Sequence, residues 1–122
     1  MTPSVISLLT ELIQCQSVTP NEGGALSLLQ NVFNQNKFKC YKLNFGENEQ
    51  MVENLFARFG EGEPHICFAG HTDVVPPGNI DSWTFPPFEG REFQDKIYGR
   101  GAVDMKGAIA AYISASIDWI NT

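Results

Sequence analysis

Positive charge is scarce in this chain: 122 residues hold eight Lys and Arg against 14 Asp and Glu, a net charge of -6. Nucleic acid and anionic membrane surfaces both need a basic face, so neither is expected as a partner, and the surplus carboxylates suit cations better. Long apolar runs are missing as well. None approaches the ~20 residues that span a bilayer, and the opening MTPSVISLLTELIQ has no basic start, long apolar stretch or small-residue cleavage site. No signal peptide is therefore expected. Cysteine is sparse: Cys15, Cys40 and Cys67 are odd in number and lack a C-x-x-C spacing. That pattern excludes a disulfide framework, leaves three small buried hydrophobes and predicts a reducing, cytoplasmic setting. Internal repeats and low-complexity linkers are absent too. With 43% apolar and 18% charged residues, the chain has the makings of one globular domain rather than a disordered segment.

Two helical stripes open the sequence. Thr2-Pro3 reads as a cap and first helical position, followed by Val5, Leu8, Leu9, Leu12 and Ile13 at helical spacing. Thr19-Pro20 repeats the capping logic, with Glu22 three residues past the threonine, before Ala25, Leu28, Leu29, Val32 and Phe33. From Phe38 the period shortens. FKCYKLNF, ENLFARFG and the continuously apolar HICFAG predict three strands, the last of a kind covered on both faces. Prolines 76, 77, 86 and 87 make residues 74–90 a stiff loop, FQDKIYGRG predicts a short strand and turn, and Ile109, Ile113, Ile117 and Ile120 mark a third helix. The fold class predicted is α/β, a mixed sheet flanked by helices.

Chemistry concentrates where the apolar run ends, in FAGHTDVVPPG (68–78), and in GRGAVDMKG (99–107). Residues two apart in an extended segment share a face, so His71 and Asp73 can meet. Imidazole is a metal ligand whose second nitrogen commonly donates to a carboxylate, so Asp73 either orients His71 or ligates beside it. Asp104 has two oxygens to offer, enough to bridge two cations ~3.5–4 Å apart, yet its place before the third helix equally suits an N-cap. Each of these residues alone is a weak signal. Trp83, Phe85 and Phe88 are read as pinning the loop rather than walling a pocket, and His65 as a solvated histidine. Lys106 is a charge neutraliser near the site, a surface residue or a helix-start contact. Arg100 is expected to ion-pair with a neighbouring carboxylate.

The ordered combination GHTDVVPPG, SWTFPPF, GRGAVDMKG resembles the dinuclear zinc aminoacylase and carboxypeptidase family over nearly the whole chain. HTDVVPPG and WTFPPF point to its desuccinylating branch rather than to the acetylornithine deacetylases or metallodipeptidases. The resemblance implies that residues 1–122 are the amino-terminal portion of a zinc-peptidase-like catalytic domain, without the dimerisation domain or the carboxy-terminal catalytic half. It implies His71 and Asp104 as metal ligands, Asp104 bridging two Zn2+ (or Co2+) ions, Asp73 as the catalytic residue orienting His71, and a cis peptide after Asp104. The implied substrate is N-succinyl-LL-diaminopimelate, on the route to lysine, and the implied assembly is a homodimer. The Glu-Glu pair and later ligands of the family have no counterpart in this sequence, so the chain by itself is expected to be inactive: a fragment of a split or interrupted gene first, otherwise one half of a pair completed by a complementary chain, or a non-catalytic remnant or interaction module.

Overall fold

The computed structural model describes residues 2–122. In chain order its elements are α1 (Val5–Gln14), α2 (Ala25–Gln35), β1 (Lys39–Phe45), β2 (Val52–Arg58), β3 (Arg91–Phe93), β4 (Lys96–Tyr98) and α3 (Gly107–Ile120). The three helices form where the 3.6-residue stripes predict them, because each stripe has an apolar partner. Leu8 and Leu12 of α1, Ala25 and Leu29 of α2, and Ile109, Ala110, Ile113 and Ile117 of α3 make one buried cluster. Leu28, Val32 and Phe33 pack around its margin.

The helix starts differ from the capping patterns. Ser4, not Thr2, precedes α1, and its side chain makes no capping bond. Before α2 the N-cap is Gly24, yet Glu22 still contributes: its Oε2 accepts from the Leu26 N–H at 2.9 Å, satisfying one of the orphan donors of the first turn.

Strands β1 and β2 pair antiparallel from Lys39 opposite Arg58 to Phe45 opposite Val52, and β3 pairs antiparallel with β4. Gln94 and Asp95 join the latter pair with φ of 51° and 60°, the doubly left-handed turn that matches strand twist in a two-residue hairpin. The α/β class holds, but the expected mixed sheet does not: among the described residues there are two separate two-stranded antiparallel sheets, and the one parallel pairing is an isolated bridge between Val18 and Val74. HICFAG forms no strand ladder, because among the described residues no strand lies alongside it. Its Phe68 ring instead stacks on Tyr112 of α3, 4.9 Å between centroids and 3° from parallel. Gly70 permits that approach, since a Cβ there would come within 2.9 Å of the Tyr112 Oη and 3.1 Å of the Met105 Cε. Among the described residues no helix is long and apolar enough to cross a membrane.

Candidate metal centre

The segment carrying His71 and Asp73 is anchored by the link between α1 and α2. Buried Ser17 donates its Oγ–H to the Thr72 carbonyl at 2.7 Å, the Val74 N–H donates to the Ser17 carbonyl at 2.9 Å, and the Thr19 N–H donates to the Val74 carbonyl at 3.2 Å. Val74 itself is buried. These bonds set where the two side chains emerge.

Asp104 arrives by a different route. Gly101 has φ +84°, and a Cβ on it would lie 2.5 Å from Val74 Cγ1; only glycine both tolerates that angle and leaves that space. The chain then passes through Asp104 and Met105, whose backbone angles are non-helical and whose joining peptide is cis, before α3 begins. The N-cap of α3 is Lys106 and no side chain caps it, so Asp104 is not a cap. Its carboxylate points out of the helix start towards His71.

There, His71 Nε2 and Asp104 Oδ1 are 2.9 Å apart. On the other edge of the ring, His71 Nδ1 lies 3.0 Å from the Asp73 carbonyl oxygen and 3.4 Å from Asp73 Oδ1. A carbonyl can only accept, so Nδ1 carries the proton. In the neutral ring Nε2 then presents a lone pair to a carboxylate lone pair, an arrangement that is attractive only with a positive species between or on them: a proton, giving imidazolium, or a metal cation. The histidine pKa is accordingly raised, chiefly by the bond to the Asp73 carbonyl, against partial burial, with further support from the hydrogen bond and charge of Asp104 and the charge of Asp73. Two donors each ~2.0–2.1 Å from a tetrahedral zinc would sit about 3.3 Å apart, within a few tenths of an ångström of the observed spacing.

Asp73 Oδ2 accepts from Thr19 Oγ1 at 2.5 Å. Asp73 thus has one oxygen towards His71 and the other held by Thr19. Three donor side chains are thus close, but only His71 and Asp104 face a common point; among the described residues no group of three or more His, Cys, Asp and Glu is arranged to hold a metal. The residues that sequence reasoning missed are Ser17 and Thr19. No local signal marks them, because their partners lie 55 and 54 positions away.

The pair opens into a cleft of about 260 Å³, also lined by Val75, Arg100 and Val103. Arg100 forms no ion pair among the described residues, contrary to expectation: its guanidinium lies over the Trp83 ring, 5.1 Å from the centroid, and its Nε is buried without a partner. The proline-rich loop holds a larger hollow of about 330 Å³, which has none of the ligating side chains. Trp83 Nε1 donates to the Pro77 carbonyl at 2.9 Å, and Phe85 packs on Phe93 and Tyr98, which pins the loop as the composition predicts. His65 is exposed. Lys106 turns away from the site altogether. It is fully buried and donates to the Leu12 and Cys15 carbonyls at 2.6 and 2.8 Å, closing the carboxyl end of α1.

Residues 67–121 match the sequence model of peptidase family M20/M25/M40. Over 117 residues, 96% of its length, the chain is 51% identical to a succinyl-diaminopimelate desuccinylase of Orientia tsutsugamushi (strain Ikeda), and over 110 residues, 90% of its length, 48% identical to one of Ehrlichia canis (strain Jake). It spans 30% and 29% of those two proteins, so about a third of the curated relatives' length is represented. In solved structures, human carnosine dipeptidase 1 superposes with a TM-score of 0.80 at 26% identity, over 93% of this chain and 27% of that one. The chain is therefore similar over nearly its whole length to the amino-acid sequences of succinyl-diaminopimelate desuccinylases, and its residues 67–121 match peptidase family M20/M25/M40.

Proposed function

We propose that this chain supplies part of the active centre of a metal-dependent amide hydrolase that converts N-succinyl-LL-2,6-diaminopimelate to succinate and LL-2,6-diaminopimelate, a cytoplasmic step in lysine and diaminopimelate synthesis. The observation that carries the reading is the His71 Nε2 to Asp104 Oδ1 approach of 2.9 Å, with the opposite ring nitrogen held by Asp73. That arrangement aims an imidazole lone pair and a carboxylate at one point and leaves a cation as the natural third party. Identity near 50% to desuccinylases, against 26% to the carnosine dipeptidase, favours the succinylated substrate over a dipeptide.

In this reading His71 and Asp104 would hold divalent cations, zinc or cobalt in its place. Asp73 fixes the ring and its tautomer, raising the basicity of Nε2. Thr19 in turn fixes Asp73. When bound, such ions act as Lewis acids, polarising an amide carbonyl and bringing the acidity of water towards a pKa of about 7. The chain's own contribution is to place its donors and to hold the proton on Nδ1, so that Nε2 is the nitrogen turned towards Asp104. Two facing donors are too few to complete either ion's shell, so the 122-residue chain alone is read as inactive, with the general base, the remaining ligands and the homodimer contact coming from elsewhere. Zinc titration of the purified chain by calorimetry tests this. Binding abolished by both His71→Ala and Asp104→Ala supports the centre, and binding unchanged in both rejects it.

A further inference from the structure

One sulfur joins the two donor segments without using either donor. Among the described residues, the stretch 65–75 is hydrogen-bonded to the stretch 99–107 in two places. The first is the approach of His71 Nε2 to Asp104 Oδ1, which a cation entering the site must replace. In the second, the His71 main-chain N–H donates to Met105 Sδ at 3.4 Å. Met105 is thus tied to the pair twice over: it follows Asp104 directly in the chain, and its side chain holds the amide of His71.

The thioether is itself firmly seated. Met105 is half-buried and packs against the core cluster of α1, α2 and α3, and its neighbour Lys106 is fastened to the end of α1 through the Leu12 and Cys15 carbonyls. Gly70 gives the sulfur room, since a Cβ there would lie 3.4 Å from Sδ and 3.1 Å from Cε. The ties from Ser17 and Thr19 all fall on the carboxyl side of His71, at Thr72, Asp73 and Val74. On the amino side, residues 65–70 make no backbone–backbone hydrogen bond among the described residues, which leaves the Met105 contact to hold that end. A thioether is a weak, uncharged and polarisable acceptor on a flexible stem. Its long, shallow bond can follow the few tenths of an ångström by which the donors must part to admit a tetrahedral zinc.

We infer that Met105 is a positioning residue: its Sδ clamps the His71 amide, so that the imidazole and the Asp104 carboxylate stay aimed at one point when the bond between them is exchanged for a cation. The clamp rests on the proposed function only for that cation, and its metal-free readouts are independent of it. A methionine that merely fills space would be replaced without effect by norleucine, which has a methylene in place of the sulfur.

Exposed Met51 is first changed to leucine, leaving positions 1 and 105 to take up a methionine analogue; a Met51→Leu/Met105→Leu protein labelled alike reports the share of position 1. In chelator, protein made with 77Se-selenomethionine should show a scalar coupling between the selenium at 105 and the His71 amide proton. Norleucine should speed exchange of that amide at least about tenfold and move the His71 ring 15N resonances, without lowering the urea midpoint. In calorimetry norleucine should weaken zinc binding at least about tenfold, and selenomethionine should restore it. The clamp is overturned if the coupling is absent, if norleucine leaves His71 exchange and ring resonances as they were, or if zinc binds the norleucine protein as tightly. Should the methionine protein bind no zinc, the proposed function falls, and the readouts in chelator still decide the clamp.

Discussion

Burying a lysine at the end of a helix sets two large terms against each other, and pH separates them. The Lys106 ammonium is fully buried and donates to the Leu12 and Cys15 carbonyls at 2.6 and 2.8 Å, where the carboxyl end of α1 carries partial negative charge. Burial nevertheless lowers its pKa from the ordinary 10.5 to about 8, with Cys15 acting weakly in the other direction. At ~1.4 kcal/mol per tenfold change in proton affinity, the charged form is about 3 kcal/mol less favourable in the fold than in the unfolded chain. Lys106→Met keeps the aliphatic stem and strands two carbonyls, at about 1–3 kcal/mol each. Above the unfolded pKa the neutral amine still donates, so the wild type should exceed the variant by about 2–6 kcal/mol; near pH 7 the charge penalty should shrink that gap by about 3 kcal/mol. The sign follows from proton counting. Between about 8 and 10.5 the unfolded state binds more protons, so the lysine's contribution to stability rises with pH and is lost as pH falls through about 8. Burial raises the Cys15 thiol, whose titration works oppositely, so both proteins are compared in a Cys15→Ala background, in chelator to keep cations from Asp104. Urea unfolding at about pH 7 and about pH 10 should show the gap widening by about 2 kcal/mol. A gap that stays constant or narrows refutes the buried-charge account.

Other outcomes follow from the same contacts. Thr19→Val removes the hydroxyl that holds Asp73 and should weaken zinc binding by about 10–100-fold with little change in the urea midpoint, as seen by calorimetry and fluorescence. Gly24→Ala and Gly101→Ala both place alanine at positive φ, but only at Gly101 does the new Cβ strike a neighbour, Val74 at 2.5 Å; urea unfolding should show a loss of about 1–2 kcal/mol at Gly24 and a further ~1–3 kcal/mol at Gly101. Zinc at about a hundredfold excess over its dissociation constant should stabilise the chain by about 2.7 kcal/mol in thermal melts, and His71→Ala should abolish the shift. Ser17→Ala, which removes the buried bond to the Thr72 carbonyl, should cost about 1 kcal/mol in urea unfolding.

What the sequence determined by itself was whatever depends on neighbours along the chain. The helical stripes of α1, α2 and α3 were legible because a 3.6-residue period places Leu8 with Leu12, or Ile109 with Ile113, on one face whatever the rest does. The alternation in β1 and β2 and the breaks at the prolines are local in the same sense. The motifs around His71 and Asp104 named the donors by their chemistry. Tertiary structure alone decided what those donors face. That Asp104 faces His71 rather than capping α3, and that Asp73 is held by Thr19, follow from packing across 33 and 54 positions. Lys106 closes α1 through carbonyls 94 and 91 positions back, which no local pattern records. HICFAG marks the limit most sharply: a run of apolar residues specifies that a strand wants two covered faces and two paired edges, but hydrogen bonds between strands are made to whatever backbone lies alongside, and that is a property of the assembled structure.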